Sequence, residues 1–209
     1  MSSILLIQSN PAWARELHDA LGADARYSLR GNVTTLAEAR RSIGERAADL
    51  LICDLRLPDG AFRDLMRELR PSRSHVLVTT SSLHDPHLMH ALRSGADGFL
   101  LAGRSRDETL NTIRQTLAGG ASIAPEVARQ LLMLFDQLNA RPIPFNGLAA
   151  AAPDAADRQL LRWTSEGYRP DEIARGLGIA TADVGRRVRA LYRKVQFERP
   201  AARALRRAA

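Results

Sequence analysis

The chain has 209 residues, 45% of them hydrophobic and 25% charged, a balance that suits one large or two small folded domains and argues against disorder. No apolar run reaches the ~18 to 20 residues that span a bilayer, no basic leader precedes a long apolar stretch, so nothing marks the chain for export, and the lone Cys53 has no partner in the chain; a reducing, cytoplasmic setting is expected. The net charge of +7 is concentrated at one end: residues 1–120 carry 15 arginines against 14 acids, 121–153 two against two, and 154–209 13 basic residues against seven acids.

In chain order, short apolar runs alternate with helical patterns up to about residue 118. Strands are expected at "ILLI" (4–7), "YSLRGNV" (27–33), "DLLICDL" (49–55), "HVLVTT" (75–80) and "GFLLA" (98–102). Helices are expected at 12–21, 36–43, 61–69, 87–94 and 107–117. Five strands alternating with five helices imply an α/β doubly wound, flavodoxin-like parallel sheet. Right-handed crossovers would gather Ser9, Asp54 and Thr80 at the carboxyl edge. A helix near 125–138 follows, then "ARPIPFNGLAAAAPDA", whose prolines and small residues read as a linker. The remainder reads as a small all-α domain with helices at 154–165, 170–177, 181–195 and 200–207. The expected domains are 1–120, a linker helix and linker over 121–153, and 154–209.

"PDEIARGLGIATADVGRRVRALYRKV" gives a short helix, a tight turn at Gly178 and a second helix, the helix-turn-helix pattern. On that second helix Val184, Val188, Leu191 and Val195 form one narrow apolar stripe. Arg186, Arg189 and Arg193 fall on the opposite side, with Arg187 and Lys194 on one flank. A cationic stripe is commonly a solvated face. Here it lies on the helix that this motif places in a major groove, where arginine pairs with guanine or holds phosphate; Arg186, Arg189 and Arg193 are the expected groove contacts, Arg187 and Lys194 the expected phosphate contacts, and Thr181 a further DNA-binding candidate. Ile173, Leu177, Leu160, Leu161 and Trp163 read as core.

This segment, from "LLRWTSEGYRP" onward, resembles the LuxR-type DNA-binding domain of NarL/FixJ-family response regulators. It departs from that pattern at three places. Ala180 stands where a Ser or Thr helix cap is usual, so Thr181 is expected to cap instead. Gly185 replaces a larger residue, and "APDAAD" lacks the usual Leu-Thr-x-Arg-Glu start. "LLICDLRLPDG", "VLVTTSS" and "GADGFLL", in this order and spacing, resemble the receiver domain of the same family, and "GGASIAPEVARQLL" matches the helix that follows it there.

The resemblance implies a receiver that catalyses its own phosphorylation on an aspartate, aided by Mg²⁺ held partly by two acidic residues after the first strand and by a lysine after the fifth. The corresponding positions are Asp54 for the phosphoacceptor, Gln8 and Ser9 for the acidic pair, Ala102 for the lysine, Thr80 for the hydroxyl that bonds the phosphoryl group, and Phe99 for the switch aromatic. Nucleophile and reporter are kept, while both sources of positive charge are gone. Lys194 is the only lysine, so none lies in the receiver. Mg²⁺ binding is expected to be weak or lost, with no other cofactor or metal. Arg104 is a candidate replacement whose planar fork differs from an ammonium. The simplest reading of Asp54 is a carboxylate hydrogen-bonded to Gln8 or Ser9. His84, His87 and His90 read as exposed histidines, and Cys53 as a buried apolar residue.

The expected function is a non-enzymatic transcriptional regulator, phosphorylation-independent, that binds double-stranded DNA as a homodimer. A sensor kinase or another regulatory partner is an open possibility. Two alternatives stand beside it: a regulator switched by phosphorylation of Asp54 in a rebuilt pocket, and a protein-interaction adaptor whose helix-turn-helix no longer reads DNA.

Overall fold

The computed structural model describes residues 1–45, 47–68, 74–140 and 152–196. Strands β1 (Ser2–Ile7), β2 (Tyr27–Val33), β3 (Leu50–Asp54), β6 (His75–Thr80) and β7 (Gly98–Leu101) form one five-stranded sheet in the order β2-β1-β3-β6-β7, all pairs parallel. Buried on both faces, the central strands read as continuous apolar runs without alternation: Ile4 to Ile7 and Leu50 to Cys53 are at most 1% exposed. Between β3 and β6 the chain makes a two-stranded hairpin, β4 (Arg56–Leu57) and β5 (Gly60–Ala61), beyond the five strands expected from sequence. Strand β1 also starts two residues before its apolar run, because Ser2 and Ser3 pair with Tyr27 and Ser28.

Helices α1 (Pro11–Gly22) and α5 (Arg106–Leu117) cover one face, where Leu17, Leu21, Leu110 and Ile113 pack on Ile4, Leu6, Ile52 and Leu77. Helices α2 (Leu36–Glu45), α3 (Phe62–Glu68) and α4 (Pro86–Ser94) cover the other. Local signals set their ends. Asn10 accepts from the N–H groups of Ala12 and Trp13 ahead of α1, Asp85 caps α4, and Ser105 forms a capping box with Glu108 at α5. Each satisfies donors that the first turn leaves unpaired.

The carboxyl-terminal part consists of α6 (Pro125–Ala140), α7 (Ala155–Ser165), α8 (Pro170–Leu177) and α9 (Thr181–Val195). Helix α8 starts with Pro170 and ends at Gly178, whose φ of 64° is the left-handed conformation glycine supplies at little cost. Gly176 has a different reason: a Cβ there would stand 2.6 Å from the Trp163 ring, so its absence lets α7 and α8 close on each other. Apolar residues of α6 to α9 join the core cluster on the α3–α4 side of the sheet, giving the two parts a shared interior. The expected helix at 200–207 and most of the linker, 141–151, lie outside the described residues.

Candidate functional site

At the carboxyl edge of the sheet, β1 and β3 bring Ser9 and Asp54 together. The Ser9 N–H and hydroxyl both donate to Asp54 Oδ2, each at 2.7 Å. The hydroxyl of Thr79 donates to Asp54 Oδ1 at 2.7 Å. Gln8 is fully buried and turned inward; its amide donates to the Ile52 carbonyl at 3.1 Å, and its Oε1 lies 3.3 Å from Thr79 Oγ1. Of the two partners expected for Asp54, Ser9 makes the bond and Gln8 does not.

Thr79 has displaced Thr80 from the position sequence reasoning gave it. Successive residues of a strand point to opposite faces. The Thr80 hydroxyl instead donates to the Ser82 carbonyl at 2.9 Å and accepts the Ser82 N–H at 3.2 Å, stitching the β6–α4 turn. Ala102 closes the rim, its N–H bonded to the Thr80 carbonyl at 2.9 Å. Arg104 makes an ion pair with Glu108 at 2.9 Å. Asp54 is thus met by three hydrogen-bond donors from neutral groups. Burial pushes the neighbouring Cys53 thiol up, far from a reactive thiolate.

A second constellation lies at the opposite, amino edge of the sheet. Asp97, in the turn before β7, is 1% exposed and accepts the Val76 N–H at 3.0 Å, with His75 Nδ1 at 3.2 Å. Arg189, on α9, forms an ion pair with the other Asp97 oxygen. Both side chains are almost wholly buried, at 3% and 1% exposure. The expectation that Arg189 stands on an open outer face is therefore corrected: α9 lies against the receiver, and this arginine is inside the seam.

Three further contacts hold the helix there. The Ala121 N–H donates to the Gly185 carbonyl at 2.9 Å, the buried Tyr192 hydroxyl donates to the Ser122 carbonyl at 2.8 Å, and the Gln196 amide donates to the Ala96 carbonyl at 3.0 Å. Gly185 meets Gly120 at close range; a Cβ on Gly120 would lie 3.4 Å from the Gly185 carbonyl carbon and 3.2 Å from the Gln115 oxygen. A Cβ on Gly185 itself would stand 3.4 Å from the Ala121 carbonyl oxygen and 3.8 Å from Gly120 Cα, ordinary contact, so the tight position is Gly120 and only a side chain longer than alanine's would crowd the connector from α9.

The remaining cations of α9 divide by depth. Lys194 reaches Asp157 at 2.6 Å and Arg187 reaches it at 2.9 Å, around a carboxylate that is 5% exposed. Those two therefore tie α9 to the start of α7 and are not extended from the flank. Arg186 is exposed and paired with Asp183 one turn away, and Arg193 is exposed. Thr181 is the first residue of α9, yet the cap position is Ala180, without a side-chain hydrogen bond, so Thr181 does not act as the cap. Sequence reasoning missed Thr79, Asp97 and Asp157. Only Asp157 carried a local signal, since it stands three residues after Asp154 in a capping box.

His84, His87 and His90 are exposed, and His87 lies 2.9 Å from Asp85. Among the described residues no group of three or more His, Cys, Asp or Glu is placed to hold a metal ion, and no helix is long and apolar enough to cross a membrane. Phe99 is buried in β7, 6% exposed, beside a cleft that opens toward α9.

Residues 4–114 match the response regulator receiver domain. The chain belongs to the response regulators. Relatives of this response regulator span almost its whole length. It is 27% identical over 201 residues to the DNA-binding transcriptional activator DevR/DosR of Mycobacterium tuberculosis, covering 95% of this chain and 90% of that one. It is 25% identical over 207 residues to the nitrate/nitrite response regulator NarL of Escherichia coli, covering 94% and 90%. Among solved structures, the response regulator RcsB in a DNA complex superposes with a TM-score of 0.56 at 16% identity, over 93% of this chain and 91% of that one. RcsB of Salmonella typhimurium gives 0.54, also at 16% identity. These similarities run through both parts of the chain, and the solved structures show that the two-part fold is shared.

Proposed function

We propose that this response regulator is a DNA-binding transcriptional regulator whose receiver works without phosphorylation of Asp54. The carrying observation is the Asp54 carboxylate itself, both of whose oxygens accept hydrogen bonds from Ser9 and Thr79. Phosphoryl transfer to a carboxylate needs cationic help to offset the charge of the transition state. Mg²⁺, the ion that the family resemblance implies, requires near-octahedral oxygen ligands, normally with carboxylates among them. This donor set does not fit it: one carboxylate, a serine hydroxyl already donating to that carboxylate, and a glutamine whose amide is spent inside the sheet. Ala102 supplies no replacement charge, and Arg104 is engaged with Glu108.

DNA recognition follows from the helix-turn-helix of α8 and α9, from the net +6 of residues 154–209, and from relatives named as DNA-binding regulators. The protein would act as a homodimer in the cytoplasm, with recognition helices ~34 Å apart on one face of duplex DNA. It would turn over no diffusible substrate. With Arg189 inside the seam, the docked arrangement would be a closed form, and separating α9 from the receiver would add that arginine to the already exposed Arg186 and Arg193.

A salt series of mobility shifts on genomic duplex fragments tests this reading. Affinity should fall steeply with salt, and Arg193→Glu should weaken binding and flatten the slope, because each phosphate contact adds roughly one released counterion. The burial of Arg189 favours one second reading, an adaptor whose α9 is a permanent strut. Absence of salt-sensitive binding in both the wild type and an Asp97→Ala variant would establish the adaptor and remove the DNA-binding proposal.

A further inference from the structure

Between β7 and α5 on the receiver side and the first turns of α8 and α9 on the other lies a cleft of about 320 Å³. Its volume is in the range of small-molecule sites, and its position between two domains is where such sites commonly form. The apolar wall comes from both parts: Phe99 and Leu101 of β7, Ile123 of the connector, and Val184 and Val188 of α9. The polar groups are neutral and convergent, Thr109, Thr112 and Gln115 from one face of α5 and Thr181 from α9. Among the described residues, Arg104 and Glu108 are the only charged side chains on the lining, and they pair with each other. Neither face is complete without the other.

We propose that this cleft binds a small uncharged amphipathic molecule, with its apolar body against Phe99, Ile123 and Val184 and a hydroxyl, carbonyl or amide turned toward the threonines of α5. The inference rests on the phosphate-independent reading above, since it gives the receiver a chemical input in place of phosphate. A ligand that needs both walls binds the docked arrangement and not the separated one. It therefore shifts the population toward the closed form by its differential affinity and weakens DNA binding. Phe99, the switch aromatic of the family resemblance, would then report occupancy of the cleft rather than a phosphoryl group.

N-phenyl-1-naphthylamine, a neutral fluorophore that brightens in apolar sites, is the probe. Titrated into the full chain it should give a saturable rise in emission. Thr112→Trp and, separately, Thr109→Trp fill the cleft from α5 and should abolish the saturable component, whereas Thr112→Val keeps the volume and should retain it. Circular dichroism identifies any variant that fails to fold, and two filling positions leave at least one reading. At saturation the probe should weaken DNA binding by about 5-fold or more, the lower end of ordinary allosteric coupling. Saturable emission that persists in the folded tryptophan variants, no saturable emission in the wild type, or DNA affinity indifferent to the probe overturns the proposal. Intact mass after treatment with Mg²⁺ and acetyl phosphate is measured in parallel. An adduct on Asp54 with normal probe binding removes the phosphate-independent reading and leaves the cleft standing; no adduct and no probe binding does the reverse.

Discussion

Two aspartates sit at opposite edges of one sheet and have exchanged roles. Asp54 holds the position where a receiver assembles charge, yet it is met only by the neutral hydrogen-bond donors of Ser9 and Thr79. Asp97 holds a position with no part in the phosphorylation pocket, yet it has a buried guanidinium from the other domain and a histidine beside it. On the reading proposed above, a carboxylate bonded by neutral donors in a partly open pocket lacks the cationic help that phosphoryl transfer needs. A carboxylate buried with an arginine makes the seam depend on both partners, because removing either one leaves the other charge buried and uncompensated. On the proposed reading, the switchable electrostatics of this protein lie at the seam between its two parts.

The largest effect should come from reversing the first half of that contrast. Ser9→Asp together with Ala102→Lys returns a second carboxylate and the missing ammonium, and intact mass after Mg²⁺ and acetyl phosphate should show a single phosphoryl adduct that Asp54→Ala removes. A protein that stays unmodified would mean that more than charge has been lost from the pocket.

Asp97→Ala attacks the other half by leaving Arg189 buried without its acid. Losing one partner of a buried pair costs about 3 to 5 kcal/mol. That is enough to open the seam: DNA affinity should rise by tens of fold or more, and the radius of gyration in solution should increase. Affinity and dimensions equal to wild type would make the pair incidental to closure.

Gly185→Leu tests the close approach to Gly120 and Ala121, where overpacking costs about 1 to 3 kcal/mol. It should loosen the seam less than Asp97→Ala and show faster amide exchange at Ala121, whose N–H bonds the Gly185 carbonyl. Protection unchanged at that amide would place the glycine outside the docking requirement.

The smallest effect belongs to the internal clasp of the carboxyl-terminal part. Asp154→Ala removes the cap of α7 and should lower stability by about 1 kcal/mol. The Asp157 N–H, with Arg187 behind it, holds the Asp154 carboxyl below the usual carboxylate range. Its stabilising share is therefore present above the ordinary aspartate value and is lost as pH falls through that value toward the lower folded one. Wild type and variant should converge in thermal unfolding at the acid end; a difference that grows with acidity would contradict the assignment.

How much of this was legible in the sequence depends on whether the signal is local. Strands β2 and β6 and helices α8 and α9 occupy the stretches that apolar runs, Pro170 and Gly178 mark out. The neutral rim of Ser9 and Ala102 could be read because the family resemblance fixes which charges to look for. Thr79 and Thr80 could not be separated that way, since two adjacent threonines differ only in which face of the strand each takes. Asp97 and Arg189 were equally hidden. Each looks ordinary in its own stretch, the acid as part of "GADGF" and the arginine as one of an outward stripe, and only the packing of α9 on the receiver brings them together. Gly185 reads in sequence only as a departure from the family pattern, because the connector it touches, at Gly120 and Ala121, is remote in the chain.

The central claim is that this receiver does not take its signal from phosphate. Intact mass of the wild-type chain, after prolonged exposure to Mg²⁺ and acetyl phosphate, tests it most directly. The account predicts an unmodified mass and DNA affinity equal before and after treatment. A stoichiometric phosphoryl adduct that maps to Asp54 and changes DNA affinity would contradict it.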